Sequence, residues 1–263
     1  MSLDAKKSLG QNFLKSEKAI RSMIESPDIS HDDIVVEIGP GKGALTKPLL
    51  ETGATVVAFE LDKRMVEYLH ETFGEYVMSG KLILVHQDVL EADISAYTSG
   101  QPYKVVANIP YYITNLIIRT FLSNGHQPTS MCLLIQKEVA ERIVSRNGKE
   151  SILSLSVQLY GIPRFIMKVD RRYFSPKPKV DSAVIIIDAI NRDDIVDVDF
   201  ENKFFEIIKT AFSQKRKKAI KNLSMLASKS TWENIFEACG IDRDVRAEDV
   251  TYTQWLEIVD KYR

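Results

Sequence analysis

The stretch IVVEIGPGKGALTKPLL, residues 34–50, decides the fold class predicted for this chain. An apolar, β-forming run leads directly into a loop with Gly39, Gly41 and Gly43, and a helical pattern follows. Glycine permits a tight turn and lets the backbone approach a ligand, and the first N–H groups of a helix are free to bind one. A loop between two buried elements can also be purely structural. The stretch therefore predicts a strand–loop–helix unit with a candidate ligand loop.

Four similar apolar runs follow along the chain, separated by helical patterns. Continuous rather than alternating apolar residues indicate strands buried on both faces, as in a parallel sheet covered by helices. The predicted strands are 34–38, 55–60, 81–86, 103–108 and 131–136, and the predicted helices are 43–52, 62–73, 113–123 and 137–146. Two further strands, 164–169 and 182–188, follow a helix at 150–160 and predict an antiparallel pair. The sequence thus predicts a doubly wound α/β fold.

The pattern of residues along the sequence changes after Asp188. Residues 189–199 are acidic and irregular, and only helical periodicity follows. We predict a Rossmann-like domain over 1–188 and a small all-helical domain over 189–263. Within the latter, Ser230 or Thr231 is the expected N-cap of a helix and Gly240 the expected C-cap glycine.

Composition excludes several classes of protein. The chain has 35 Lys and Arg against 36 Asp and Glu, so its net charge of −1 predicts no partner and any nucleic-acid footprint must be local. Two cysteines, Cys132 and Cys239, are too few for a disulfide scaffold or a cysteine zinc site, and no metal is expected. Apolar runs are far shorter than the ~20 residues that span a bilayer. We expect a cytoplasmic protein that does not bind membranes.

Two acids fall where predicted strands end. Glu60 closes the second strand, and Asp88 follows the third. Ligands of open α/β sheets bind at the carboxyl edge of the strands, where an acid can accept hydrogen bonds from both hydroxyls of a ribose. Either acid alone could be a solvent-facing residue. Together, beside a glycine loop, they predict a cofactor that contains adenosine, either NAD or S-adenosylmethionine.

The fourth strand ends in NIPYY, residues 108–112. One reaction that these residues can serve is methylation of the N6 amine of adenine. Because the lone pair of that nitrogen is delocalised into the ring, methylation requires hydrogen-bond acceptors that orient the amine. The side-chain oxygen of Asn108 and the carbonyl of Ile109 or Pro110 can do this, and Pro110 fixes the turn. Tyr111 offers a ring on which an unpaired base can stack. Alignment then supplies most of the rate.

Four motifs together resemble one enzyme family. NIPYYI (108–113) is similar to the N-[LI]-P-[YF] signature of rRNA adenine-N6 dimethyltransferases, and KKSLGQNFL (6–14) to their N-terminal K-x-x-L-G-Q-N-F-L. FSPKPKVDSA (174–183) and AFSQKRK (211–217) resemble two further family motifs in the same order. The chain is identified as a member of the bacterial KsgA family of small-subunit (16S) rRNA adenine N6,N6-dimethyltransferases. The resemblance implies a class I S-adenosylmethionine-dependent methyltransferase fold.

The resemblance also implies roles for individual residues. Asn12 and Leu14 would close over the methionine part of S-adenosylmethionine, and Phe174 would stack on the target base opposite Tyr111. The role of Tyr112 stays open. The implied cofactor-binding residues are Asn12, Leu14, Gly39, Glu60, Asp88 and Asn108, and the implied catalytic residues are Asn108, Pro110, Tyr111 and Phe174.

The implied partner is 16S rRNA in the immature small ribosomal subunit, where two adjacent adenines of a 3′-terminal hairpin would be dimethylated by a monomeric enzyme. Residues 214–221 hold five cations at the expected start of a helix, which with Lys6, Lys7 and Lys15 predict an rRNA footprint. The alternative within the class is an antibiotic-resistance type 23S rRNA adenine N6-methyltransferase. A nicotinamide dehydrogenase would leave NIPYY without a role, and a non-enzymatic assembly factor would not need it.

Overall fold

The computed structural model describes residues 3–6 and 9–263, which form two compact units. The first unit comprises Met1–Ala140 and Gly161–Asn191, and the second comprises Glu141–Tyr160 and Arg192–Arg263. The first is built around a seven-stranded sheet. The second is helical.

The strands of the first unit lie close to the predicted positions. The bounds are β1 Phe13–Leu14, β2 Ile34–Ile38, β3 Thr55–Phe59, β4 Leu82–Val85, β5 Lys104–Asn108, β6 Ser130–Gln136, β7 Ile162–Val169, β8 Phe174–Ser175 and β9 Ser182–Asp188. The sheet has the order β4-β3-β2-β5-β6-β9-β7, and β1 and β8 form a separate antiparallel pair. Strands β2 to β6 pair in parallel, whereas β9 is antiparallel to both β6 and β7. The predicted antiparallel pair is confirmed.

The order of the strands creates a switch point beside the glycine loop. From β2 the chain moves outward through β3 to β4, and then returns to pair β5 on the other side of β2. The crossovers on the two sides run in opposite directions, so a crevice opens beyond the carboxyl ends of β2 and β5. The glycine loop follows β2 and Asn108 ends β5. The fold therefore brings the two most informative stretches of the sequence together.

The helices have shorter bounds than their sequence patterns predict. They are α1 Glu17–Glu25, α2 Thr46–Glu51, α3 Lys63–Thr72, α4 Gly74–Met78, α5 Ile94–Thr98, α6 Thr114–Leu122, α7 Lys137–Ile143, α8 Ile152–Gln158, α9 Val198–Ala211, α10 Ala219–Leu223, α11 Lys229–Ala238 and α12 Tyr252–Tyr262. The residues just after the glycine loop form turns, so α2 begins at Thr46 rather than at residue 43.

The core of the first unit lies between the sheet and its helices. Val35 and Val36 on β2 and Val56 and Val57 on β3 are fully buried, as continuous apolar strands predict. On α1, Ala19 and Met23 are four residues apart and fully buried, which is the spacing of one helix face. Burial on both faces of the central strands explains why their sequences show no alternation.

In the second unit, two tryptophans mark the core. Trp232 on α11 and Trp255 on α12 are fully buried, and the Trp232 ring stacks on Tyr262 at 4.6 Å between centroids. Helix α11 begins two or three residues earlier than expected: Ser228 is the N-cap, and its hydroxyl accepts from the Thr231 N–H at 3.1 Å. The prediction of Ser230 or Thr231 as N-cap is wrong. Gly240 follows the C-cap Cys239 with φ +67°, so the predicted C-cap glycine is confirmed.

The basic segment 214–221 begins in a turn, and a helix starts only near its end, at Ala219. Residues 213–217 form turns and bends, Lys218 is the N-cap of α10, and Lys221 lies within that helix. Lys218 Nζ lies 2.5 Å from Asp244 Oδ1. The cations of the turn, Lys215, Arg216 and Lys217, therefore lie before the helix and not within its first turn.

The division into two units does not follow the predicted domain boundary after Asp188. Residues 141–160, which lie before that boundary, belong to the second unit. The division into folding domains at 188/189 stays a prediction. Among the described residues, we find no helix with the length and apolarity needed to cross a membrane.

Candidate active site

A cavity of about 370 Å³ opens in the first unit at the carboxyl ends of β2 and β5. Its volume falls within the range of about 300–1,000 Å³ typical of small-molecule sites. Eight of the nine predicted site residues line it: Asn12, Leu14, Gly39, Glu60, Asp88, Asn108, Pro110 and Tyr111. The predicted site is thus a single cavity, with Phe174 as the exception described below.

The backbone conformation of the loop after β2 requires glycine. Gly39 and Gly41 have φ values of +66° and +55°, which side chains rarely tolerate. A Cβ on Gly41 would lie 3.1 Å from Cε1 of Phe13, whereas a Cβ on Gly39 would meet no protein atom within 4 Å. Gly39 therefore presents bare backbone to the open cavity, where a ligand can approach closely.

Glu60 follows β3 directly and is almost fully buried. Its Oε2 accepts from the Gly41 N–H at 3.1 Å, and its Oε1 accepts from the Asp62 N–H at 2.9 Å. Burial raises the pKa of Glu60, and the backbone N–H groups act in the opposite direction. Each carboxylate oxygen keeps a lone pair after these bonds, so the side chain is fixed and can still accept from a ligand.

Glu37 is a site residue that the sequence reasoning missed. It lies within β2, it is fully buried, and it lines the cavity. Its Oε2 accepts from the Thr46 hydroxyl at 2.7 Å, while Oε1 has no partner within the described chain. Burial raises the pKa of Glu37 to about 8. The available signal was a single acid inside the apolar run IVVEI, immediately before the glycine loop.

Asp88 lies three residues beyond β4 and is half-buried. Its Oδ1 accepts from the Leu90 N–H at 3.0 Å, which caps a short 3-10 turn over Val89–Glu91. The turn holds the carboxylate at the cavity wall beside Val89. Its second oxygen can accept from a ligand amine.

Asn108 is held by the N-terminal segment. Its Nδ2 donates to the Asn12 carbonyl oxygen at 2.9 Å, and Asn12 Nδ2 donates to the Gly10 carbonyl at 3.0 Å. Because the amide nitrogen of Asn108 is engaged, its Oδ1 is the atom left to accept from a ligand. The Pro110 carbonyl accepts from the Ile113 N–H at 3.2 Å and closes the turn that follows. The motif therefore presents oriented acceptors to the cavity.

Tyr111 is half-buried, and its hydroxyl lies 2.8 Å from Ser182 Oγ at the start of β9. Burial raises its pKa, and the hydrogen bond with Ser182 opposes the shift. The ring lines the cavity and is fixed at its hydroxyl end.

Phe174 is not brought to the cavity. Its side chain is only 4% exposed, it belongs to the hydrophobic core of the first unit, and on β8 it pairs with Leu14. In this arrangement no face of the ring is available for a base, so the prediction that Phe174 stacks opposite Tyr111 is corrected. The physical reason is the pairing of β1 with β8, which turns the side chain of Ser175 rather than Phe174 toward the cavity.

The N-terminal segment is held by a third buried acid, Asp62. Lys6 Nζ lies 3.0 Å from its Oδ1, Gln11 Nε2 donates to Oδ2 at 3.5 Å, and Arg64 contacts the same carboxylate at 2.6 Å. The Arg64 guanidinium holds the pKa of Asp62 well below its usual range. Lys7 and Ser8, which belong to the N-terminal motif, lie outside the described residues. The predicted cation Lys15 lines the cavity.

The described residues contain no group of three or more histidine, cysteine, aspartate or glutamate side chains placed to hold a metal ion. The arrangement offers instead a buried cradle with carboxylate acceptors at one end and the Asn108 amide oxygen at the other. Such a cavity can hold an adenosine-containing molecule beside an amine acceptor. The doubly wound sheet and this site define a class I type of methyltransferase.

Comparison with known proteins agrees with this class. The profile of the family described as "Ribosomal RNA adenine dimethylase" matches residues 2–263. The chain is 38% identical to a "Ribosomal RNA small subunit methyltransferase A" of Fusobacterium nucleatum, with 98% of both chains covered. It is 36% identical to the protein of that name from Oceanobacillus iheyensis, covering 98% of this chain and 90% of that one.

Two solved structures have the same fold. The 23S rRNA methyltransferase ErmE superposes with a TM-score of 0.80 at 25% identity, covering 95% of this chain and 98% of that one. A dimethyladenosine transferase from Plasmodium falciparum gives a TM-score of 0.79 at 23% identity, covering 94% and 95%. At that identity the second match speaks for the fold alone.

The chain belongs to the ribosomal RNA adenine dimethylase family. It is an rRNA adenine dimethyltransferase whose methyl donor is S-adenosylmethionine, and the predictions of family, fold class, activity and cofactor are confirmed.

Proposed function

We propose that the cavity at the ends of β2 and β5 holds S-adenosylmethionine and the target adenine side by side. Three observations support the fit of the cofactor: the bare backbone at Gly39, the buried carboxylate of Glu60 and the unpartnered Oε1 of Glu37. Glu60 accepts from the ribose hydroxyls and Asp88 from the adenine amine of the cofactor. Asn12 and Leu14 cover its methionine end.

The residues of the target side orient an amine. When bound, S-adenosylmethionine supplies an electrophilic methyl group on a sulfonium. The Oδ1 of Asn108 and the carbonyl of Ile109 or Pro110 accept the N6 hydrogens of the target adenine, which turns the nitrogen lone pair toward the methyl donor. Alignment of this kind can supply about 7–11 kcal/mol of a barrier. The observation that carries the proposal is the engaged Nδ2 of Asn108, which leaves Oδ1 as the free acceptor of a residue that lines the cavity.

The specific substrate is proposed to be 16S rRNA in the immature small subunit, with two adjacent adenines of a 3′-terminal hairpin as targets. The support is the identity of 36–38% to proteins named small subunit methyltransferases, against 25% to the 23S rRNA methyltransferase. The TM-score of 0.80 with that 23S enzyme keeps large-subunit rRNA as the second candidate. We further propose that the enzyme acts as a monomer in the cytoplasm, where small subunits are assembled.

Mass spectrometry of rRNA from cells with and without the gene tests the substrate. We expect N6,N6-dimethyladenosine to disappear from 16S rRNA alone when the gene is deleted. In addition, the purified chain should methylate undermethylated small subunits and not 23S rRNA. Loss of the modification from 23S rRNA would assign the chain to the second candidate, and unchanged modification in both RNAs would reject either substrate.

The basic turn at Lys215, Arg216 and Lys217 is proposed to contact rRNA phosphates. These side chains are exposed, and within the described chain none of them has an ion-pair partner. Replacing all three with glutamine should flatten the log–log salt dependence of subunit binding by up to about 2.7 units if each neutralises a phosphate. Lys218→Gln is the matched control because Lys218 is paired with Asp244. An unchanged slope in the triple variant would mean that these side chains do not contact phosphates and only face solvent.

A further inference from the structure

Tyr112 is an exposed aromatic ring at the mouth of the cavity. It lines the cavity together with Tyr111, yet 67% of its surface is exposed. Within residues 3–6 and 9–263, its hydroxyl has no hydrogen-bond partner. Exposed aromatic residues are common on protein surfaces, so exposure alone does not indicate a function for Tyr112. The position of this ring at the entrance to a site for a nucleobase is what calls for an explanation.

The ring is held from beneath by the N-terminal segment. A Cβ on Gly10 would lie 3.1 Å from Cε1 and 3.3 Å from Cδ1 of Tyr112, so this edge of the ring lies directly against the Gly10 backbone. Gly10 has φ +62° and accepts from the Asn12 side chain. The same segment that holds Asn108 therefore supports Tyr112.

The two aromatic residues that the family resemblance places at the target base, Phe174 and Tyr111, cannot offer a face outside the cavity. Phe174 is buried in the core, and Tyr111 is fixed by Ser182 inside the cavity wall. An adenine that enters the cavity must leave its stack, and the base next to it in the RNA then loses a stacking partner. Single-stranded bases regain this energy on aromatic side chains, irrespective of their sequence.

We propose that Tyr112 stacks with the rRNA base adjacent to the target adenine and so holds the RNA while the target base lies at Asn108. Tyr112 is a positioning residue: it binds RNA outside the cavity and does not touch the reacting amine. The inference rests on the proposed function of the cavity.

Kinetics on undermethylated small subunits tests this role. Tyr112→Ala should raise KM for subunits about 5–150-fold, the range that base stacking on an aromatic ring supplies. The kcat at saturating subunits and the calorimetric affinity for S-adenosylmethionine should each stay within about twofold, and Tyr112→Phe should restore the KM. Tyr76→Ala, which alters a partly exposed tyrosine of α4 outside the cavity lining, is the matched control. Thermal unfolding checks that the variants are folded.

Three outcomes of the kinetics would overturn the proposal. An unchanged KM in Tyr112→Ala means that the ring does not bind RNA. A weakened affinity for S-adenosylmethionine places the ring in the cofactor site, and a loss confined to kcat places it on the reacting base. If wild-type enzyme methylates 23S rRNA instead of small subunits, the proposed substrate fails, and the same variants are compared on 23S rRNA to decide the role of Tyr112.

Crosslinking gives a second, independent readout. With Tyr112→p-benzoylphenylalanine, irradiation of the complex should produce reverse-transcription stops at the nucleotide next to the methylated adenine. The same replacement at Tyr76 should give none. Stops confined to distant nucleotides would contradict the proposal even if the KM had risen.

Discussion

The two halves of the cavity are built in different ways. In the cofactor half (Gly39, Glu60 and Asp88), backbone N–H groups fix the carboxylates from short distances along the chain: Asp62 and Gly41, at most 19 residues away, hold Glu60, and Leu90 holds Asp88. In the target half (Asn108, Tyr111 and Tyr112), the contacts join distant parts of the chain. Asn108 bonds to Asn12, 96 residues away, and Tyr111 to Ser182, 71 residues away.

This difference has a consequence for mutations. The cofactor half depends on backbone N–H groups of neighbouring strand–loop–helix units, so its residues act mainly through direct contact with the ligand. The target half depends on the packing of the N-terminal segment and of β8 and β9, so changes far from the reacting atoms can displace it.

Phe174→Ala tests whether Phe174 supports the target half only through the core. The variant should lose about 3–5 kcal/mol of unfolding free energy, the usual cost of removing a buried aromatic ring. Chemical denaturation measures it, and Tyr173→Ala, at an exposed neighbouring site, should cost far less. Where the variant is still folded, the ratio of mono- to dimethyladenosine should stay at the wild-type value. Accumulation of N6-monomethyladenosine would instead show that the ring stacks on the target base.

Asn108→Ala removes the oriented acceptor of the target half. We expect kcat to fall about 100- to 1,000-fold, the effect of losing one hydrogen-bonding group that stabilises a transition state. Binding to small subunits should remain nearly intact. Single-turnover assays with Asn115→Ala as control, an exposed residue of α6, make the comparison. Residual activity within tenfold of wild type would place the acceptor elsewhere.

Glu60→Ala acts on the cofactor half alone. Hydrogen bonds to a charged group are worth about 1.5–3 kcal/mol each, so the affinity for S-adenosylmethionine should drop at least tenfold. Calorimetry measures this, with the exposed Glu51→Ala as control. Tight NAD binding by the wild type would contradict the assignment of this half to S-adenosylmethionine.

The smallest of these effects is the dependence of the free energy of unfolding on pH that Glu37 causes. Burial raises its pKa to about 8 from 4.5, so its contribution to stability is complete below pH 4.5 and is lost as pH rises through about 8. Glu37→Gln stays neutral and should lack this decline, whose slope is at most about 1.4 kcal/mol per pH unit. Unfolding of the ligand-free proteins from pH 5 to 9 measures it. Parallel curves for the wild type and the variant would show that Glu37 is ionised throughout.

Much of the cofactor half could be predicted from local sequence. The apolar runs gave the strands within two residues, and Glu60 and Asp88 lie where the strand ends predicted them. Glu37 was missed because a single acid within an apolar run does not by itself show whether its side chain faces a cavity or lies at the edge of the sheet. The turn at residues 213–217 was predicted as helix because basic residues favour helices as readily as turns.

By itself, the sequence determined the α/β class, the glycine loop, the strand-end acids and the family to which the chain belongs, because these depend on periodicity, turn chemistry and contiguous motifs. Only the tertiary structure decided that Phe174 lies in the core, that Asn12 orients the Asn108 amide and that Tyr112 is exposed at the cavity mouth. The reason is physical. A side chain of a strand or turn can point to either of two faces, and the choice depends on which distant segment packs against it.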